Sequence, residues 1–370
     1  MGAVTEPPAS AAPAPAHLSG IGRPPRADRR DPHLDPHLDP HRDAYSGRRS
    51  GPHPGRRSDP RRDREPAPAA VRPRLIATDL DGTLLRGDKS VSERTVAALA
   101  AAEAAGIEVF FVTGRPPRWM GVVSDHVPGH GLAICSNGAA VVDLHGGGRP
   151  VRERPLPRAD AVTVVRALRA AVPDVSFAVE TRGAFLHEPQ YPIAQFEPGA
   201  AVAPVERLLA EDGPEAGADG GRSGSGTGTA AGTGREYGHG PVWKVLAHSA
   251  ELGPDEFLQL ARAVAGAHAQ FTRSSPTALL EISGRGVSKA STLEQCCAER
   301  GIGAEEVVAF GDMPNDLEML GWAATSYAMA NAHPEVLAAT SLRTASNEED
   351  GVAVVIEKLL ADSAARHDVP

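Results

Sequence analysis

From residue 73 onward, short apolar runs alternate with longer segments that have helical spacing. The run 75–78 predicts a buried strand, and Ser90 and Glu93 match a capping box that opens an Ala-rich helix. Gly106 is a typical helix stop, and the run 107–112 predicts a second strand. This βαβ unit predicts an α/β domain with a mostly parallel sheet.

The middle of the chain, residues 146–284, has a different rhythm, in which one helix is followed by two strands, twice over. This rhythm predicts an inserted α+β domain. Its predicted helices are 158–171 and 254–266, and its predicted strands are 175–180, 183–188, 242–248, 268–273 and 277–283.

After residue 284 the α/β rhythm returns, so the core is predicted in two parts, 71–145 and 285–370. The second part is predicted to contain helices 288–300, 314–321 and 351–361 and strands 307–311 and 327–329.

Two segments lack the apolar residues that a packed core requires. Residues 1–70 are rich in Pro, Arg, Asp, Ala and Gly, which predicts a disordered arm. Its four-residue repeat of histidines does not predict a metal site, because each repeat contains a proline that prevents a helix. Residues 211–240 predict a flexible Gly-rich loop. Within it, 226–231 matches a dinucleotide fingerprint by letters but joins no strand to a helix, which favours a chance match.

Composition narrows the class of protein. Apolar residues make up 41% and charged residues 23%, as in a soluble globular enzyme, and the net charge of -9 argues against nucleic-acid binding. The three cysteines form neither a disulfide framework nor a zinc spacing. No apolar run approaches the ~18 residues of a membrane-spanning helix, and no secretory signal is evident. These features predict a cytoplasmic protein with no membrane partner.

Candidate chemistry begins with Asp79 and Asp81, directly after the first predicted strand. Open α/β sheets bind ligands at this carboxyl edge. Alone, the pair is weak evidence and is also consistent with a surface loop or a glycosyltransferase metal pair, whereas in a calcium loop Gly82 would come too early. Two carboxylates in one turn repel each other unless a cation compensates.

A second acidic pair, Asp312 and Asp316, follows the predicted strand 307–311. Two acidic clusters at two strand ends form an oxygen site of the kind that Mg²⁺ prefers. The alternative for Asp312 is a helix cap before Pro314.

Phosphate-binding groups are also predicted. Thr113 and Gly114 end the second strand, where a hydroxyl and backbone N–H groups can hold phosphate oxygens. Lys289 begins a predicted helix, where the helix dipole disfavours a cation, which indicates a functional role. The alternative is an ordinary solvated lysine.

The order and spacing of these motifs resemble the haloacid dehalogenase superfamily of phosphohydrolases, most closely its Cof-type subclass IIB. The resemblance extends over about residues 74–361. Its motifs are 79–83, 113–115, Lys289 and 311–316, with further similarity at 136–139 and 328–332. The long arm and the Gly-rich loop depart from the usual pattern.

The resemblance implies a Rossmann-like hydrolase core split by an α+β cap. It implies that Asp79 is the nucleophile and Asp81 the general acid/base. Mg²⁺ would be held by Asp79, the backbone carbonyl of Asp81 and Asp312, with support from Asp316. Because Asp81 would protonate the leaving group, we expect its pKa to be raised.

The resemblance further implies that Thr113, Gly114 and Lys289 bind the transferring phosphoryl group, which Asn315 helps to position. The expected activity is Mg²⁺-dependent hydrolysis of small phosphorylated metabolites, such as sugar phosphates, through an aspartyl phosphate. Two alternatives remain at this point: a sugar phosphomutase on the same core, and a non-catalytic partner-binding protein. The intact acidic and lysine positions argue against the latter.

Overall fold

A computed structural model of the chain describes residues 72–124, 131–144, 146–192, 200–210 and 240–367. The predicted arm, its histidine repeat and the fingerprint-like segment 226–231 lie outside the described residues. So does the predicted Gly-rich loop up to residue 239.

The strands and helices follow the predicted alternation. The strands are β1 (Leu75–Thr78), β2 (Glu108–Val112), β3 (Leu132–Cys135), β4 (Ala140–Asp143), β5 (Pro150–Glu153), β6 (Ser176–Thr181), β7 (Phe185–His187), β8 (Ala201–Val202), β9 (Val242–His248), β10 (Gln270–Thr272), β11 (Leu279–Ser283), β12 (Val307–Gly311), β13 (Thr325–Ala328) and β14 (Leu342–Arg343). The helices are α1 (Glu93–Ala104), α2 (Gly121–Ser124), α3 (Arg158–Ala171), α4 (Val205–Leu208), α5 (Pro254–Ala265), α6 (Lys289–Ala298), α7 (Leu317–Trp322), α8 (Pro334–Ala339) and α9 (Gly351–His367).

The core is an eight-stranded sheet in the order β14-β13-β12-β1-β2-β3-β4-β5. The strands from β14 to β3 are parallel, and β4 and β5 complete the sheet in antiparallel pairs. Strand β1 lies between β12 and β2, with Thr78 in register with both Phe310 and Phe111. The chain therefore leaves all three strands at the same edge of the sheet. The predicted split α/β core is confirmed.

The inserted domain, here called the cap, has a six-stranded sheet in the order β10-β11-β9-β6-β7-β8. Successive residues of its strands lie on opposite faces of the sheet: Val245 and Ala247 of β9 belong to the hydrophobic core that includes α3 and α5. Lys244 and Leu246, the alternate residues of the same strand, line a cavity. The cap thus packs its helices on one face of the sheet and presents the other face to the cavity.

The boundary of the cap differs from the expected position at residue 146. Strand β5 pairs with β4 in the core sheet, so the chain leaves the core only after Glu153. The strand Pro150–Glu153 lies at the edge of the sheet and contains no continuous apolar run that would reveal it in the sequence. Its valine, Val151, is 62% accessible.

Helix starts also refine the predictions. The N-cap of α1 is Ser92 rather than Ser90, and its side chain accepts a hydrogen bond from the backbone of Thr95. Ser288 caps α6 in a capping box with Ser291, which places Lys289 at the first helical position. The predicted helix 314–321 begins as a 3₁₀ turn, Pro314–Asp316, before α7.

The three cysteines are free and buried. Within the part of the chain that the structure describes, no helix combines the length and apolar character needed to cross a membrane.

Candidate active site

Lys289 joins the two acidic motifs at the carboxyl edge of the core sheet. Its Nζ lies 2.6 Å from Oδ1 of Asp79 and 2.7 Å from Oδ1 of Asp316. The three side chains are 1%, 7% and 0% exposed. Burial opposes the charge on Lys289, but the carboxylates of Asp316 and Asp79 outweigh it and raise its pKa. The alternative of a solvated lysine is therefore wrong.

Asp79 occupies an environment that disfavours its charge. Burial raises the pKa of Asp79 well above its usual value, and the nearby Asp316 and Asp312 add to the effect, while Lys289 opposes it. Asp79 follows β1 directly, and its backbone N–H donates to the carbonyl of Phe310 on the adjacent strand at 3.1 Å. This hydrogen bond to the neighbouring strand fixes the backbone position of Asp79 at the edge of the sheet.

Three carboxylates form a compact group. Asp79, Asp312 and Asp316 each offer an oxygen within 4.8 Å of the others, and all three are buried. Burial raises the pKa of Asp312 to about 7, and the charge of Asp316 contributes. One lysine charge does not balance three carboxylates, so a cation would relieve the repulsion. An all-oxygen donor set is the type that Mg²⁺ prefers, so the residues fit this metal.

Gly82 allows the two acidic motifs to approach each other. Its φ is +79°, and a Cβ at this position would lie 2.3 Å from Oδ2 of Asp312. Thr83, the next residue, donates from its hydroxyl to Oδ1 of Asp312 at 2.8 Å. A side chain at position 82 would therefore displace a carboxylate of the acidic group.

The capping function in the second acidic motif belongs to Asp316. Its Oδ2 accepts hydrogen bonds from the backbone N–H groups of Asp312 at 3.1 Å and Met313 at 3.0 Å. Asp312 instead receives the Thr83 hydroxyl. The capping alternative for Asp312 is wrong, because Asp316 holds this turn and Asp312 is directed to the acidic group.

Asp81 is held by two cations. Arg115 donates from Nε to Oδ2 at 2.6 Å and from Nη2 to Oδ1 at 2.7 Å, and Lys89 donates to Oδ1 at 2.8 Å. Burial opposes ionisation, but these hydrogen bonds outweigh it and lower the pKa of Asp81 to about 2. The expected raised pKa is wrong for this arrangement, because sequence spacing does not reveal that Arg115 and Lys89 converge on one carboxylate.

The predicted phosphate loop is ordered by its own backbone. The hydroxyl of Thr113 accepts a hydrogen bond from the backbone N–H of Arg115 at 3.1 Å. The carbonyl of Thr113 accepts from the N–H of Asn137 at 3.0 Å. Ser136 and Asn137 have φ values of 50° and 55°, in the left-handed region that few non-glycine residues adopt. Such backbone strain is typical of functional sites.

The cap contributes a buried ion pair to the same loop. Lys244 on β9 donates to Oε1 of Glu281 at 2.7 Å and to the carbonyl of Gly114 at 2.9 Å. Glu281 on β11 accepts from Nδ2 of Asn137 at 3.0 Å, and Oδ1 of Asn137 lies 3.3 Å from Nδ2 of Asn315. Sequence reasoning missed Lys244 and Glu281. Their only signal was a charge within each of two otherwise apolar strands.

A cavity of about 550 Å³ separates the core from the cap. Five of the predicted site residues line it: Asp79, Asp81, Thr113, Gly114 and Asn315. The other three are buried behind it, where Lys289 contacts Asp79 and Asp316 caps the turn that carries Asp312. All eight predicted residues are thus brought together at one edge of the sheet.

Comparison with known proteins places this arrangement in context. Residues 76–356 match the family described as haloacid dehalogenase-like hydrolase. The 5-amino-6-(5-phospho-D-ribitylamino)uracil phosphatase YitU of Bacillus subtilis is 28% identical over 299 residues, 76% of this chain and 96% of its own length. The pyridoxal phosphate phosphatase YbhA of Escherichia coli is 28% identical over 297 residues, 76% of this chain and 97% of its own.

Solved structures share the fold. The HAD subclass IIB sugar phosphatase BT4131 superimposes with a TM-score of 0.59 and 20% identity, over 77% of this chain and 98% of its own. At this level of identity the similarity concerns the fold alone, including the core and its inserted cap.

Proposed function

Since the chain belongs to the haloacid dehalogenase-like hydrolase family, we propose that it is a Mg²⁺-dependent phosphatase of small phosphorylated metabolites that acts through an aspartyl phosphate on Asp79. One observation carries the proposal. Asp79 lines the cavity at the end of β1, while Lys289 binds it from behind and two further buried carboxylates offer oxygens that could hold a cation with it.

The metal site would consist of Asp79, Asp312 and the backbone carbonyl of Asp81, with Asp316 in support. The buried carboxylate group supports this set, because its donors are all oxygen and its charge is not balanced by Lys289 alone. Bound Mg²⁺ would supply positive charge that offsets the negative charges of the phosphate and of Asp79.

In the first step, a carboxylate oxygen of Asp79 attacks phosphorus, and the bond from phosphorus to the alcohol oxygen breaks. The Thr113 hydroxyl, the backbone N–H of Gly114 and the Lys289 ammonium hold phosphoryl oxygens. Asn315 positions the group. The alcohol leaves with a proton supplied by Asp81. The product is an acyl phosphate on Asp79.

In the second step, Asp81 accepts a proton from water as the water oxygen attacks phosphorus, which releases phosphate and restores Asp79. The ionised state that Arg115 and Lys89 impose on Asp81 suits this base role. For the first step Asp81 must arrive protonated, so its hydrogen bonds to the two cations must break and re-form during turnover.

The substrate class is supported by the two relatives named above, which act on phosphate monoesters of small metabolites and align over nearly their whole length. The cavity volume of about 550 Å³ is within the usual range for small-molecule sites.

A screen of phosphorylated metabolites for release of inorganic phosphate tests the proposal. We expect release that requires Mg²⁺, that EDTA abolishes and that the Asp79→Asn variant lacks. A sugar monophosphate converted into its positional isomer, with no free phosphate, would instead identify a phosphomutase. No turnover of any ester with Mg²⁺ present would refute the proposal.

A further inference from the structure

The cavity has two chemically different walls. The core wall carries the phosphate-handling groups described above. On the cap wall, Phe185, Tyr191, Leu246 and Leu279 form an apolar cluster that lines the cavity; we refer to these four residues as the apolar wall. This cluster is separate from the hydrophobic core of the cap, which lies on the other face of the same sheet.

The register of the cap sheet builds this wall from alternating positions. Leu246 pairs with Ala178 of β6 on one side and with Glu281 of β11 on the other, and Leu279 pairs with His248. Phe185 and Tyr191 contact each other edge to face, with ring centroids 6.2 Å apart. Because the wall faces a cavity, its apolar surface remains available to a ligand.

The lysine and arginine side chains around the cavity are already paired with carboxylates. Among the described residues that line it, the arginine and lysine side chains are Arg115 and Lys244, and each binds a carboxylate, Asp81 and Glu281 respectively. The cap carboxylate Glu180 is paired with Arg118. A second anionic group on a substrate would therefore have to compete for a cation that is already paired.

From these observations we infer the substrate class of the proposed phosphatase: a phosphate monoester of a neutral alcohol that carries a planar aromatic or heteroaromatic ring. The ring packs against the apolar wall while the phosphate reaches Asp79. A sugar in the same place would set hydroxyls against Phe185, Leu246 and Leu279, which offer no hydrogen bonds in exchange for lost water.

The inference rests on the proposed phosphatase activity and can be tested separately from it. Benzyl phosphate, cyclohexylmethyl phosphate and glucose 6-phosphate are all esters of primary alcohols, so their leaving groups are comparable. We expect kcat/KM for benzyl phosphate to exceed that for glucose 6-phosphate by about tenfold or more, and that for cyclohexylmethyl phosphate by severalfold. We also expect 4-carboxybenzyl phosphate to react about tenfold more slowly than benzyl phosphate, because the lysine and arginine side chains among the described residues of the lining already bind carboxylates.

Variants of Phe185 identify the wall as the source of the preference. In Phe185→Ala the ratio of kcat/KM for benzyl phosphate to that for glucose 6-phosphate should fall about tenfold, equivalent to about 1.4 kcal/mol. Phe185→Leu keeps an apolar side chain without the ring and should lower this ratio by a smaller factor. It also replaces Phe185→Ala in the test if the alanine variant does not fold. Val202→Ala, at an exposed position of β8, is the matched control and should leave the ratio unchanged.

The outcomes separate the two proposals. Equal or better turnover of glucose 6-phosphate, or of cyclohexylmethyl phosphate, would overturn the aromatic class while leaving the phosphatase activity intact. An unchanged ratio in folded Phe185 variants, or faster turnover of the carboxybenzyl ester, would overturn it as well. Absence of phosphate release from every ester would refute the phosphatase activity itself, and this inference with it.

Discussion

Lys244 and Glu281 form an ion pair 2.7 Å long inside the cap, with side chains only 4% and 6% exposed. The pair also joins the cap to the core, because Lys244 donates to the carbonyl of Gly114 and Glu281 accepts from Asn137. A cap residue thus orders the loop that is predicted to hold phosphate.

Glu281→Gln should therefore destabilise the protein by about 3 kcal/mol, since removing one partner leaves the other charge buried and unpaired. Urea denaturation measures the change. The matched control is Glu357→Gln, which breaks an ion pair with Arg94 of the same 2.7 Å length but with side chains 46% and 47% exposed. That loss of stability should be much smaller, because water and salt screen a pair of exposed charges. Equal losses in the two variants would contradict the importance of burial.

Asp312→Asn should have opposite effects on stability and activity. The amide can still accept the Thr83 hydroxyl, but it removes a buried negative charge beside Asp316. We expect the metal-free variant to be more stable than the parent by about 1 kcal/mol, to bind Mg²⁺ weakly and to lose turnover. Denaturation without divalent cations and calorimetric titration with Mg²⁺ measure these effects. A less stable variant with normal turnover would show that Asp312 is only structural.

The raised pKa of Asp312 also predicts how stability depends on pH. Its ordinary value is 3.8 and its value in the fold is about 7, so between them the folded state binds more protons than the unfolded state. The stability of the metal-free protein should therefore fall as pH rises from about 4 to about 7. Mg²⁺ replaces the proton, so it should raise the melting temperature more at pH 8 than at pH 5.

At 100 times its dissociation constant, Mg²⁺ should contribute about 2.7 kcal/mol. Asp312→Asn is the control, because it removes one of the two carboxyl groups whose pKa the fold raises, the other being Asp79, and should weaken the pH dependence. Equal Mg²⁺ effects at pH 5 and pH 8 would contradict the prediction.

The apolar pattern predicts best the strands that carry the acidic motifs. The predicted strands 75–78 and 307–311 coincide with β1 and β12, because buried parallel strands are continuous apolar runs. Lys289, 210 residues from Asp79, was identified in the sequence by its unfavourable position at a helix N-terminus and by the family resemblance. The meeting of the two acidic motifs followed from sheet topology, because the carboxyl ends of parallel strands lie at one edge of the sheet.

Contacts between the cap and the core could not be predicted in this way. Lys244 and Gly114 are 130 residues apart in the sequence, and Glu281 and Asn137 are 144 residues apart. No sequence periodicity relates a strand of the inserted domain to a loop of the core. The ion pair between Arg115 and Asp81 likewise depends on the direction of the two side chains rather than on the spacing of the residues in the sequence. For this reason the sequence suggested a raised pKa for Asp81 where the fold lowers it.

Asp79 and Asp81 lie two positions apart, yet their variants should fail differently. Asp79→Asn removes the nucleophile, so no phosphoenzyme should form at any pH and turnover should vanish. Asp81→Asn keeps the nucleophile and the backbone carbonyl but loses the proton donor and base, which is worth roughly 10² to 10⁴ in rate. The effect should depend on the leaving group, because p-nitrophenolate departs without a proton and an alkoxide does not.

With Asp81→Asn and saturating Mg²⁺, p-nitrophenyl phosphate should give a burst of about one equivalent of p-nitrophenolate followed by slow turnover, because the phosphoenzyme forms but lacks a base for its hydrolysis. Benzyl phosphate should give no burst, since its alcohol needs the missing proton. Rapid-mixing absorbance and acid-quench trapping of the phosphoenzyme measure both. Asp81→Asn also weakens the hydrogen bonds with Arg115 and Lys89, so urea denaturation must show that the variant is folded before a lost burst is assigned to chemistry. Substantial activity in Asp79→Asn, or equal loss of both substrates in Asp81→Asn, would mean that the two roles are wrongly assigned.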